Sequence, residues 1–239
     1  MNADYLYLYI KKETSEYCLI FKFCISTPLT PMSCRVKCSA IEATYTPRTT
    51  YLMMSNNLIV LLSGKRKTGK DYISEKLLKA IGEDKCAIVR ISEPIKSQYA
   101  KEHNLDLSEL MSPNKYKEEY RKQMIIWSDQ VRSQDPSYFC KIACSEAVPK
   151  PIWIVSDIRR KTDIKWFKAT YGGQIRTVRI SATEQTRVNR GFVFTKGVDD
   201  VTSECDLDDY TEWDLCVAND SSEECDCVIN KILSLINIV

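Results

Sequence analysis

The chain has 239 residues, with 34 Lys and Arg against 32 Asp and Glu and a formal charge of only +2. That balance excludes the global positive field of a nucleic-acid protein, so any basic site must be local. Eleven cysteines fall at irregular spacings without a zinc-type C-x-x-C pair, and His103 is the single histidine; the thiols read as small core residues of a reducing compartment, not as a zinc site or a disulfide framework.

Residues 1–56 differ from the rest. They carry Tyr5, Tyr7 and Tyr9, then Pro28, Pro31 and Pro47 among Ser and Thr. The alternation Tyr5 to Tyr9 predicts at most a short strand, and the segment reads as a poorly ordered extension to a domain spanning 57–239. The apolar run Tyr17 to Ile25 is broken by Lys22 and preceded by Glu13 and Glu16, which argues against a signal peptide. No stretch reaches the roughly 18 apolar residues that span a bilayer, so no membrane partner is expected.

Leu58 to Leu62 is an apolar run that predicts a buried strand. It ends in Ser63-Gly64-Lys65-Arg66-Lys67-Thr68-Gly69-Lys70-Asp71 and passes directly into a helical pattern. G-x-x-x-x-G-K in that setting is a phosphate-binding loop, where backbone N–H groups and a helix N-terminus cradle phosphates and Lys70 reaches the terminal ones. Where Ser or Thr usually ligates Mg²⁺, this chain has Asp71, a carboxylate suited to hold the metal through its water shell.

The helix from Lys70 buries Ile73, Leu77, Leu78 and Ile81 and stops at Gly82. Cys86 to Ile91 is a second strand, followed by Ser92-Glu93-Pro94 as a helix start and a helix to about Asn104. Lys115 to Arg132 is a long amphipathic helix with Tyr116, Tyr120, Met124 and Trp127 on one face. After Asp135-Pro136 comes a helix over Ser137 to Val148. Pro151 to Asp157 is a third strand, Thr162 to Tyr171 a helix closed by Gly172-Gly173, and Gln174 to Ile180 a fourth strand. A short helix over Thr183 to Asn189, a fifth strand over Leu215 to Ala218 and a terminal helix over Glu223 to Ile236 complete the pattern.

Apolar strands alternating with helices argue a parallel sheet covered on both faces. Ligands of such sheets sit at the strand carboxyl ends. The phosphate loop, Asp157 and Asn219 all follow strand ends and should converge there. Asp157 reads either as a Walker B acid orienting the metal's water shell or as a helix cap.

Arginines follow strands or lie between them: Arg132, Arg159, Arg160, Arg179, Arg187 and Arg190. The guanidinium fork grips phosphate oxygens in pairs. Arg187 and Arg190 share one helix face just before Gly191 and a loop, Thr195 to Glu204, suited to hinge over a nucleotide. Cations without a candidate histidine base suit phosphoryl transfer to a phosphorylated acceptor, because a phosphate monoester is already a nucleophilic anion at neutral pH.

The loop Gly64 to Asp71, then Ser97-Gln98-Tyr99-Ala100, Tyr116-Lys117-Glu118, Pro151 to Asp157 with Arg159-Arg160, and Gly197-Val198-Asp199-Asp200 resemble animal-type phosphomevalonate kinase from about Leu58 to the C-terminus. The resemblance implies a P-loop kinase of nucleoside-monophosphate-kinase type, α/β with a five-stranded parallel sheet flanked by helices and an arginine-bearing lid. It implies ATP with Mg²⁺ and transfer of the γ-phosphoryl to 5-phosphomevalonate in isoprenoid and sterol precursor synthesis. By position, it makes Lys70, Asp71, Arg159 and Arg190 catalytic. Gly64, Lys65, Arg66, Lys67, Thr68, Gly69, Lys70, Asp71, Arg187 and Asn219 would bind ATP. Arg132, Arg159, Arg160, Arg179, Arg190 and Asp220 would bind the phosphorylated substrate, and Asp71 and Asp157 the metal through water. Asn219-Asp220 stands where Asn-His is expected, and Asn237-Ile238-Val239 lacks a peroxisomal tripeptide, so a cytoplasmic location is expected; a monomer is expected as well. A nucleoside monophosphate kinase of the same fold and a non-catalytic nucleotide-binding module are the alternatives.

Overall fold

The computed structural model describes residues 58–112 and 115–237 in full, and of the preceding segment only the backbone of 6–13 and 16–23. The chain divides into two units between Met53 and Met54. In the first part, β1 (Leu6–Glu13) pairs antiparallel with β2 (Glu16–Phe23), Leu6 opposite Phe23 and Glu13 opposite Glu16. The strand is longer than the Tyr5 to Tyr9 alternation suggests; the remainder of the expected poorly ordered extension lies outside the described residues.

The second part is a five-stranded parallel sheet in the order β4 (Cys86–Val89), β5 (Ile152–Ile158), β3 (Leu58–Ser63), β6 (Ile175–Ser181), β7 (Leu215–Ala218). β3 is central because both its faces are apolar. Ile59, Val60, Leu61 and Leu62 have no solvent exposure, and burial of each contributes about 1.5–3 kcal/mol. Their alternation splits the core. Val60 and Leu62 pack with Ile73 and Leu77 of α1 (Lys70–Ile81) and Val228 and Ile232 of α9 (Ser222–Leu235). Ile59 and Leu61 face Phe139 and Cys140 of α5 (Tyr138–Glu146) and Ile164 and Phe167 of α6 (Lys161–Tyr171).

A smaller cluster joins Tyr99 and Ala100 of α2 (Ser92–His103), Leu110 of α3 (Leu107–Met111) and Met124 of α4 (Lys115–Gln134). Tyr116 and Tyr120 pack against it, so the aromatic stripe of α4 belongs to the core. Two short helices depart from the sequence expectation: α3, started by Asp106 accepting from Ser108 and Glu109 N–H, and α8 (Thr202–Cys205) within the predicted loop. Between them lies α7 (Glu184–Asn189), the expected short helix after β6.

From β3 the chain goes to β4 and β5 on one side, then crosses to β6 and β7 on the other. The loops at the carboxyl end of β3 therefore diverge and open a crevice. Of the cysteines with described side chains, Cys86, Cys140, Cys144 and Cys225 are buried and all are free, whereas Cys216 and Cys227 are exposed and depart from the core role expected of the thiols.

Candidate active site

The turn from β3 into α1 holds two left-handed residues, Lys67 (φ 64°) and Gly69 (φ 93°). Alternation of right- and left-handed backbone makes successive N–H groups converge on an anion. A Cβ at Gly69 would stand 2.4 Å from Asn219 Nδ2, so glycine is required there by both its angle and its neighbour. The N-terminus of α1 has no side-chain cap and presents its N–H groups to a bound anion.

Lys70 is 7% exposed. Its Nζ donates to the carbonyl of Gly64 at 2.5 Å and of Lys65 at 3.1 Å. Burial, then the charge of Arg159, pulls its pKa from 10.5 to about 7, against the opposing pull of Asp71 and Asp157. A bound polyphosphate supplies the missing counter-charge and restores the ammonium. Binding of a non-hydrolysable ATP analogue with Mg²⁺ at pH 8 is therefore expected to take up about one proton. Titration calorimetry in buffers of different ionisation enthalpy checks this; the uptake should vanish at pH 5.5 and in Lys70→Met.

The crevice is a cleft of about 1410 Å³. Arg66, Lys67, Lys70, Asp71, Asp157 and Arg159 all line it, which places the phosphate loop, the two carboxylates expected to serve the metal and one of the predicted catalytic arginines together. Asp157 is also a cap: its two oxygens accept from Ile91 N–H at 2.8 Å and Ser92 N–H at 2.9 Å, fixing the start of α2. Capping uses one acceptor direction on each oxygen and leaves others for a metal-bound water. Asp71 is exposed to the cleft.

Arg187 and Arg190 brace the loop from the lid side. Arg187 donates to Arg66 O at 2.8 Å while stacking on Phe192 at 3.9 Å. Arg190 donates to Thr68 O at 3.3 Å and Asn219 to the same oxygen at 2.8 Å. The buried Oδ1 of Asn219 has no hydrogen-bond partner, an acceptor in place beside the loop. Thr68 itself closes the loop through its hydroxyl to Lys65 O, and Lys65 pairs outward with Asp208 at 2.6 Å.

Four of the expected substrate residues are engaged elsewhere. Arg132 pairs at 2.7 Å with Asp163, and Arg160 pairs with Asp129 of α4. Arg179 donates to Ser63 Oγ and Asp208 and lies 5.7 Å over the Trp213 ring. Asp220 caps α7, accepting from the Thr183 N–H and hydroxyl. None of the four lines the cleft. Each arginine has found a carboxylate close in space and Asp220 two donors at a helix end, and such partners compete with a ligand for the same groups.

In their place the cleft shows cations that the sequence reading passed over: Arg90, Lys96, Lys117 and Arg121. Burial lowers the Lys96 pKa, and burial followed by the charges of Lys96 and Arg121 lowers that of Lys117 to about 8. Arg90 pairs with Glu75 and Glu93, and Arg121 with Glu118; Glu93, Glu118 and Glu119 share the lining, so an anion bound there competes with these acids for the cations. A signal was available. Lys96 stands one turn into the helix after β4, and Lys117 lies in the first turn of α4.

Residues 62–173 match the phosphomevalonate kinase family. The chain is 54% identical over 182 residues to a phosphomevalonate kinase of Drosophila melanogaster, covering 73% of this chain and 96% of that protein. Among solved structures it is similar to TT1252 from Thermus thermophilus, at 13% identity and a TM-score of 0.45 over 75% of this chain and 97% of that one. A shikimate kinase from Bacteroides thetaiotaomicron matches at 9% identity and 0.43 over 75% and 98%. With a relative of that identity matched over nearly its whole length, the chain belongs to the phosphomevalonate kinase family.

Proposed function

We propose that this chain transfers the γ-phosphoryl of ATP to the phosphate of 5-phosphomevalonate, giving ADP and 5-diphosphomevalonate. The observation that carries the reading is one cleft lined by the phosphate loop together with the further cations Arg90, Lys96, Lys117 and Arg121, within a chain of this family. An acceptor phosphate oxygen attacks the γ-phosphorus, the bond to the β–γ bridging oxygen breaks, and its electron pair leaves with ADP. Two polyanions must meet, so neutralising charge and holding the acceptor in line are the main tasks.

Lys70, with the loop N–H groups, Arg66 and Lys67, grips the ATP phosphates. Arg159 stands beside Lys70, close enough that its charge depresses the amine's pKa, and faces the transferred group. Asp71 and Asp157 suit Mg²⁺, which keeps several waters and needs only one or two carboxylates besides the phosphates; when bound it neutralises charge on the β- and γ-oxygens. Arg187, Arg190 and Asn219 hold the loop and the nucleotide side. We assign the acceptor phosphate to the Lys96 and Lys117 wall. Arg132, Arg160, Arg179 and Asp220 we assign as braces of the elements that carry the site, through Asp163, Asp129, Asp208 and Thr183. We place the working kinase domain at 57–239, with 1–56 as an extension, and expect a monomer in the cytoplasm. No described helix is long and apolar enough to cross a membrane.

Coupled ADP release by the full chain with Mg-ATP and 5-phosphomevalonate, with AMP as control acceptor, tests the reading. Turnover with 5-phosphomevalonate alone is expected. Turnover with AMP instead would make the protein a nucleoside monophosphate kinase, and nucleotide binding without transfer to either would make it a binding module.

A further inference from the structure

Arg159 is the one arginine after β5 that enters the cleft, and its guanidinium is held from the lid side by Glu204 of α8. The glutamate side chain is only 7% exposed against 30% for the arginine. A carboxylate so nearly removed from water persists only where its charge is matched, and Arg159 Nη1 supplies the match. The rest of the fork is free to point at a ligand.

The segment that presents Glu204 is tied on both sides. Upstream, Asp199 accepts twice from Arg66 Nη1, at 2.9 and 3.1 Å, and once from Thr195 N–H at 2.9 Å. Cys205 Sγ reaches the Asp199 carbonyl at 3.4 Å. Downstream, Asp206 accepts from Lys161 N–H at 2.7 Å, at the start of α6. Glu204 is therefore not a mobile surface acid. It is a fixed acceptor aimed at one guanidinium, the supporting arrangement that keeps a charged group in one geometry.

We propose that Glu204 is a positioning residue for phosphoryl transfer: through its ion pair it sets the place of Arg159 beside Lys70, so a lid residue governs turnover without touching either substrate. The proposal rests on the phosphoryl-transfer reading above. A misplacement of about 1 Å at a charge-stabilising group costs on the order of 100-fold in rate, and an arginine released from its carboxylate has several rotamers that differ by more than that.

The test is a double-mutant cycle on the full chain, with the coupled assay for turnover and calorimetric binding of ADP as an activity-independent readout. Glu204→Gln keeps size and loses charge. It is expected to lower kcat by about 10- to 100-fold, with KM for ATP and the ADP affinity within about threefold and thermal midpoint near that of the parent. In an Arg159→Ala background the same change should lower kcat by less than about twofold, because the group it acts through is gone. Glu204→Asp should recover part of the rate; it also takes the place of Glu204→Gln in the cycle should the latter not fold. Full additivity of the two losses, an unchanged kcat in Glu204→Gln, or a fall in KM for ATP would overturn the proposal. The last would mean that the carboxylate competes with phosphate for Arg159. An inactive parent would instead refute the transfer reading, which separates the two failures.

Discussion

Lys70→Met is expected to lower kcat by about 100-fold or more while leaving ATP affinity much less affected. The lysine sits at the first residue of α1, buried, with its amine folded onto the carbonyls of Gly64 and Lys65. In the proposed site, ground-state nucleotide phosphates would have other partners in the loop N–H groups, Arg66 and Lys67. Charge that develops between donor and acceptor during transfer has fewer, and Lys70 beside Arg159 is placed to meet it. The measurement is steady-state turnover together with nucleotide binding; a rise confined to KM would contradict the role.

The same substitution should move stability the other way. Burial lowers the folded pKa of Lys70 from 10.5 to about 7. A base with a depressed folded pKa weakens the fold: the cost is fully present below pH 7 and disappears as pH rises through about 10.5, the unfolded value. Methionine is close in length and carries no charge to desolvate. Lys70→Met should therefore match or exceed the parent's thermal midpoint at pH 6, with the advantage shrinking toward pH 10. Loss of activity with gain of stability is what a buried functional charge predicts.

The phosphate loop was legible because its chemistry is local. Strand, two glycines, lysine and helix follow one another within Leu58 to Ile81, and no distant residue is needed to read them. The sheet was legible for a similar reason, since runs such as Ile59 to Leu62 and Ile152 to Val155 bury both faces of a strand and admit little else. The arginines were not. An arginine's partner is set by tertiary packing, and for Arg132, Arg160 and Arg179 that partner lies about thirty residues away, at Asp163, Asp129 and Asp208. Identical side chains after neighbouring positions, Arg159 and Arg160, part company because one backbone step at the end of β5 turns the first into the cleft and the second toward α4. Lys96 and Lys117 escaped notice because lysines on helices are ordinarily solvated; only the convergence of α2 and α4 makes a wall of them.

Asp163→Ala should be the most destabilising single change outside the apolar core. Asp163 is 1% exposed and its partner Arg132 has 11% side-chain exposure. One carboxylate oxygen accepts from Arg132 at 2.7 Å and from Cys140 Sγ at 3.3 Å, and the other from the Arg160 N–H at 3.2 Å, at the start of α6. Removing the carboxylate leaves a guanidinium in a nearly dry site and an uncapped helix. Stranding one member of a buried pair costs about 3–5 kcal/mol, equivalent for a domain of this size to roughly 6–20 °C in thermal midpoint. Arg132→Met placed on top of Asp163→Ala should recover most of that loss, since the stranded charge is then gone and an apolar side chain fills the space beside Phe139, over whose ring the guanidinium lies at 5.3 Å. Recovery would identify Arg132 as a structural brace between α4 and α6. A loss of less than about 1 kcal/mol in Asp163→Ala would mean that the guanidinium finds water or another acceptor, and would return Arg132 to the pool of cations free to meet substrate.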